Sequence, residues 1–129
     1  MSGFTVRDFE SKKAGADLSA KQFYLVKSNT AVEDGVVLAA AATDEIMGVL
    51  MDKPASGEWG AVAMISKGGK APVKYGGTVA KGDKLTSDAS GLAITTTTTG
   101  NKVIGIAVKA GVVNDIGEVD LGVGPSVVP

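Results

Sequence analysis

One spacing of glycine and branched residues occurs twice along this chain of 129 residues, and it limits the fold more than any single motif does. Thr78-Val79-Ala80-Lys81-Gly82-Asp83-Lys84-Leu85 matches Ala31-Val32-Glu33-Asp34-Gly35-Val36-Val37-Leu38. The shared frame is Val, two residues, Gly, two residues, Leu. Ile46-Met47-Gly48-Val49 matches Val103-Ile104-Gly105-Ile106, and 14 residues after each glycine stands Val62 or Val119, inside a Gly-x-Val element. On this alignment the second copy carries about ten extra residues between Leu85 and Gly105, taken up by Ser90-Gly91 and the threonine run. Two long copies do not make an open solenoid. The expectation is two hairpin-rich lobes sharing one sheet system. The fold class is mainly β, a small compact barrel- or sandwich-like domain with internal pseudo-duplication and extended N- and C-terminal arms.

The stretches around the landmarks agree with strands. Phe23 to Lys27, Thr30 to Val32, Val36 to Ala40, Ile46 to Met51, Glu58 to Ile65 and Pro72 to Tyr75 are short runs with branched or aromatic residues. Polar, Gly and Pro turn formers separate them. The Ala39–Ala42 run has helix propensity but is too short for a helix by itself, and a strand followed by a turn fits equally. Alternation from Leu92 to Thr99 predicts a strand ending at Gly100-Asn101 with one face exposed. The same period places Val119 and Leu121 inward and Glu118 and Asp120 outward.

Composition removes most chemistry. The chain has no Cys and no His, so disulfides, thiolate nucleophiles, imidazole bases and the usual zinc ligand sets are excluded. Glu118 and Asp120 read as an exposed strand face, not a carboxylate pair converging on a cleft. Asp83, Ser87 and Asp88 read as turn-forming residues, not a calcium loop. No catalytic residue, metal site or cofactor is expected. The formal charge is -1 and the lysines are scattered, which argues against direct nucleic-acid binding. The densest basic group, Lys67, Lys70 and Lys74, is a candidate exposed charge patch. Val36 to Ala42, the longest apolar run, is too short to span a membrane.

Residues 1–20 read as an N-terminal arm, 21–123 as the β-rich domain and 124–129 as an extended tail. Aromatics are only 5% of the chain, so the core is thin and aliphatic and assembly is a route to further burial. Phe4 and Phe9 stand in polar surroundings and are candidate anchors for a neighbour. Trp59 reads as a core residue or a subunit contact, and Tyr75 joins it as a candidate contact.

Asp17-Leu18-Ser19-Ala20-Lys21-Gln22-Phe23-Tyr24, Ile46-Met47-Gly48-Val49-Leu50, Gly82-Asp83-Lys84-Leu85-Thr86-Ser87-Asp88-Ala89-Ser90-Gly91 and Val103-Ile104-Gly105-Ile106-Ala107 together resemble tailed-phage capsid cement, or head decoration, proteins. The resemblance runs over roughly residues 17–123. It implies a structural virion protein, not an enzyme, that binds the outer surface of an icosahedral head and stabilises it. It further implies a homotrimer with the major capsid protein as partner. The alternatives are another minor virion part, such as a head fibre base or tail component, and a carbohydrate or small-ligand binding module.

Overall fold

In the computed structural model, residues 9–29, 31 and 33–129 are described. Ten strands fall into two groups of five. β1 (Phe9–Ala14), β2 (Leu25–Asn29), β3 (Gly35–Leu38), β4 (Ile46–Leu50) and β5 (Trp59–Met64) form a closed barrel, in the order β1-β3-β2-β4-β5. β6 (Gly69–Lys74), β7 (Lys84–Ser87), β8 (Ala93–Thr95), β9 (Gly105–Ala107) and β10 (Ile116–Leu121) form a second sheet, in the order β6-β10-β9-β7-β8. A single 3-10 turn, Ile65–Lys67, joins them.

Strand alternation sends successive side chains to opposite faces, and both faces of the barrel wall are used. Val26, Val36, Leu50 and Val62 fill the barrel with Ala14 and Leu18. Their neighbours Leu25, Val49 and Ala63 point outward and pack with Val73, Tyr75, Leu85, Ile104, Val119 and Leu121 of the second sheet. The second sheet thus covers one side of the barrel. On β10 the expected alternation holds, with Val119 and Leu121 buried and Glu118 and Asp120 only partly so.

The duplication is real, and its register differs from the one the Val-x-x-Gly-x-x-Leu frame suggests. Gly48 pairs with Val26 on one side and Met64 on the other; Gly105 pairs with Leu85 and Leu121. β2 therefore corresponds to β7, β3 to β8, β4 to β9 and β5 to β10, while β1 corresponds to β6. The frame had equated β3 with β7. Gly48 and Gly105 remain equivalent, as do the two Gly-x-Val elements. The extra ten residues vanish: Leu38 and Thr95 occupy matching positions against Val26 and Leu85, and each precedes its glycine by 10 residues. The alanine run and the threonine run are the same segment in two copies. A Cβ on Gly48 would fall on the Ala63 carbonyl oxygen, and one on Gly105 on the Asp120 carbonyl oxygen. Only glycine lets these strands approach so closely.

Loop hydrogen bonds repeat as well. The Ala14 amide donates to Glu58 O at 2.8 Å, as Tyr75 N does to Asp115 O at 2.8 Å. Gly57 N donates to Ala14 O, and Asn114 N to Tyr75 O. Phe23 N reaches Leu50 O, and Gly82 N reaches Ala107 O. Phe23 and Gly82 both have positive φ, 71° and 92°. That conformation is easy for Gly82 and strained for Phe23, and it delays β2 to Leu25, two residues after the expected start.

The halves close differently. In the first, β1 and β3 pair in parallel, with Lys13 N donating to Asp34 O and Gly15 N to Val36 O. In the second, Gly76 N still donates to Ala93 O, and Tyr75 and Ala93 form a lone parallel bridge. The Gly91 carbonyl, however, accepts from Leu25 N, and Lys74 N donates to Phe23 O. A piece of the first half, Phe23 to Leu25, is spliced into the seam of the second. Equivalent positions also meet across the junction: Lys102 Nζ lies 2.7 Å from Glu45 Oε1, and Gly122 lies against the Ile65 carbonyl. Such like-to-like contacts are the mark of an approximate twofold axis.

Three expectations change. Residues 9–20 are not an arm, since β1 pairs with β3 and β5 and Leu18 is in the core. The tail is not free either. Lys102 bridges to Val127, Val103 N donates to Ser126 O, and Val128 is buried. The threonine strand stops at Thr95 because the Thr96 hydroxyl binds Asn101 Nδ2 at 2.9 Å and turns the chain.

Candidate interaction surface

Four of the six large apolar side chains exposed among the described residues, Trp59, Val112, Val113 and Ile116, lie at the ends of the β4–β5 and β9–β10 hairpins. Both loops are held by the same device: a carboxylate three residues on accepts from a backbone amide. Ala55 N donates to Glu58 Oε1 at 2.8 Å, and Val112 N to Asp115 Oδ2 at 3.0 Å. Each loop also contains a positive-φ residue, Gly57 or Asn114. Immediately after come Trp59 and Ile116, in matching positions and 56% and 50% exposed. Lys13 stands directly across from Trp59, and Lys74 directly across from Ile116. Paired positions share a face, so each half presents an apolar side chain beside a lysine.

Trp59 is therefore a surface residue and not part of the core. Phe9 is 46% exposed at the far end of the same ladder, opposite Ala63. Four residues of strand, about 13 Å, separate it from the Lys13–Trp59 pair. Phe4 lies outside the described residues. Tyr75 is not a surface contact: it has no exposed area. Its hydroxyl donates to Lys109 O at 2.5 Å, and burial pushes its pKa above the ordinary 10.0. The matching residue in the first half is Ala14, so the tyrosine fills volume only in the second.

Lys67, Lys70 and Lys74 do not act as one patch. Lys67 pairs with Glu10 at 3.6 Å, just after the barrel. Lys70 is exposed on β6. Lys74 Nζ sits 5.5 Å from the centre of the Tyr24 ring, which Lys21 approaches at 4.9 Å. Two cations over one ring make a basic spot near Ile116.

Several carboxylates serve turns. Asp83 accepts from Ala80 N and Thr95 Oγ1, and Asp88 accepts from Ser90 N and Leu92 N. Asp44 accepts from Ala40 N at 2.8 Å and Lys27 Nζ at 3.1 Å. The amide first, and the lysine second, hold its pKa below the usual carboxylate range. The Ser19 hydrogen bonds do the same for Asp17. Among the described residues no three metal-ligating acidic side chains gather. A groove lined by Glu45, Ile46, Ile65, Lys102, Val103 and Ile104 marks the junction of the halves. Among the described residues no helix is long and apolar enough to cross a membrane.

Sequence reasoning missed Val112 and Val113, each 54% exposed at the end of the second hairpin, beside Ile116. The available signal was a pair of branched apolar residues directly before the turn formers Asn114-Asp115, where a hairpin loop needs neither.

Comparison with known proteins fits this architecture. The crystal structure of the head fibre gp8.5 N base of bacteriophage phi29 superposes with a TM-score of 0.68 at 18% identity, covering 90% of this chain and 94% of that one. At that identity the likeness concerns the fold. No curated protein matches the sequence. A family model described as phage cement protein matches residues 10–120, from the second residue of β1 to the second-last residue of β10. Both copies of the repeated framework lie within that span, and the chain belongs to the phage cement protein family.

Proposed function

We propose that this protein docks as a homotrimer on the outer surface of an icosahedral phage head, with the major capsid protein as its partner, and reinforces the shell. The family match over residues 10–120 carries the reading: the chain is a phage virion structural protein, and cementing a head is the work its family is named for. The architecture supports it. Asp83 and Asp88 are engaged in turns, no catalytic constellation forms among the described residues, and large apolar side chains are left at the surface. A shell offers many equivalent sites, so a closed trimer adds modest contacts into a firm grip.

Purified protein mixed with expanded heads that lack it tests the reading. The expected result is saturable co-sedimentation, a higher temperature of head disruption, and a solution mass of three chains by light scattering. Absence of binding to such heads would remove the proposal.

A second reading, a base for a head fibre, is favoured by the likeness to the phi29 head fibre base. Electron microscopy of labelled particles separates the two. A cement protein decorates the shell lattice regularly, whereas a fibre base carries a projecting stalk.

A further inference from the structure

We infer that the tip of the β9–β10 hairpin, Val112, Val113 and Ile116, is the knob that enters the shell, and that its receiving site is an apolar pocket rimmed by carboxylates. The inference rests on the head-docking reading above and specifies which surface does the docking.

The duplication supplies an internal control. The β4–β5 hairpin closes the same loop with the same carboxylate-to-amide bond and the same positive-φ position. It does so with Ala55 and Ser56 where the second half has Val112 and Val113. Loop formation thus does not demand the valines. Branched apolar side chains left half in water, where small or polar ones suffice, point to a contact.

The second tip also has a side-chain anchor of a kind the first lacks. Tyr75, which the first half replaces with Ala14, anchors it from below through its hydroxyl to Lys109 O, in addition to the backbone bonds to Asn114 N and Asp115 O that both halves share. Val79 and Gly111 exchange two backbone bonds at the loop's base, where the matching Leu18 and Pro54 make one. A knob fixed before contact loses little freedom on binding.

Charge selects the occupant. Lys109 is exposed on the same loop, Lys74 pairs across from Ile116, and Lys21 shares the Tyr24 ring with Lys74. Two copies meeting tip to tip would set these lysines against each other. A different protein with acidic side chains around an apolar hollow complements both the knob and its rim.

The test converts the second tip into the first. V112A/V113S carries the first half's residues, and Ser56→Ala in the other hairpin is the control. Binding to expanded heads lacking the protein is measured by co-sedimentation over a salt series, with melting curves and light scattering of each free variant. V112A/V113S is expected to melt like the parent, keep its oligomeric state and bind at least tenfold more weakly. Ser56→Ala is expected to bind like the parent. Lys109→Glu is expected to weaken binding several-fold at low salt and less at high salt. Parent-like binding by V112A/V113S, while the parent itself binds, overturns the knob and leaves head docking intact. Loss of the free oligomer in V112A/V113S assigns the tip to contacts between copies and equally overturns it. A parent that binds no head overturns the docking role and the knob with it.

Discussion

The two halves of this domain share strand order, pairing and several individual loop hydrogen bonds, yet they are finished differently. The first half closes its own parallel seam, keeps a small residue, Ala14, at the key position, and ends its hairpin in Ala55-Ser56. The second borrows Phe23 to Leu25 for its seam, fills its interior with Tyr75, and ends its hairpin in Val112-Val113. One framework thus supports two roles. Shared positions mark what the backbone requires, and divergent ones mark what each copy has taken on.

The contrast can be probed in order of expected effect. Tyr75→Ala empties a site that has no large counterpart in the first half, and should cost about 4 kcal/mol in a denaturant titration. Tyr75→Phe should cost roughly 1 kcal/mol through the orphaned Lys109 carbonyl. It should also alter the alkaline limb. With the folded pKa raised above 10.0, the hydroxyl's contribution is complete below that value and lost as pH rises through the folded one. The parent should lose stability relative to Tyr75→Phe in that range, and parallel pH curves would contradict this.

Gly48→Ala and Gly105→Ala test the equivalence itself. Each pushes a methyl group into a backbone carbonyl, so each should cost about 3 kcal/mol. A large difference between the two would break the correspondence of β4 with β9.

Asp44→Asn gives the first half the residue that the second has at Asn101. Losing the charged acceptor for Ala40 N and Lys27 should cost about 1 kcal/mol near neutral pH. Because the folded pKa is depressed, Asp44's contribution is present above the ordinary 3.8 and lost as pH falls through the lower folded value. The difference between parent and variant should therefore shrink in acid. Glu45→Gln, at the junction of the halves, removes an ion pair whose glutamate is largely in solvent, and should change stability by less than about 0.5 kcal/mol.

Strand content was legible because branched residues alternate and turn formers interrupt them, and Val119 and Leu121 face inward as that alternation demands. Duplication was legible at Gly48 and Gly105, where close approach of two strands leaves room for nothing larger. Its register was not. The Val-x-x-Gly-x-x-Leu frame matched residue types across non-equivalent strands, while the true counterparts, the alanine run and the threonine run, share no chemistry. Their likeness lies in hydrogen bonding, which composition does not show. Of the aromatic contact candidates, Phe9 and Trp59 lie at the surface and Tyr75 lies in the core. An aromatic residue at a strand's end carries no mark of which side it faces until the partner strand is known. The Val112–Val113 tip escaped notice because two valines look like core until the loop beneath them is drawn.

The spliced seam has a consequence for how the chain reaches its folded state. Phe23 bonds Lys74 and Leu25 bonds Gly91 across separations of 51 and 66 residues. Neither half completes its backbone pairing alone, and an excised second half would expose the Lys74 amide and the Gly91 carbonyl as orphan groups. Such distant pairings raise contact order and place folding in the slow, all-or-none regime typical of β domains, on the scale of roughly milliseconds to seconds. The two copies of the framework are in this way tied into one cooperative object, which is expected to melt and refold in a single transition.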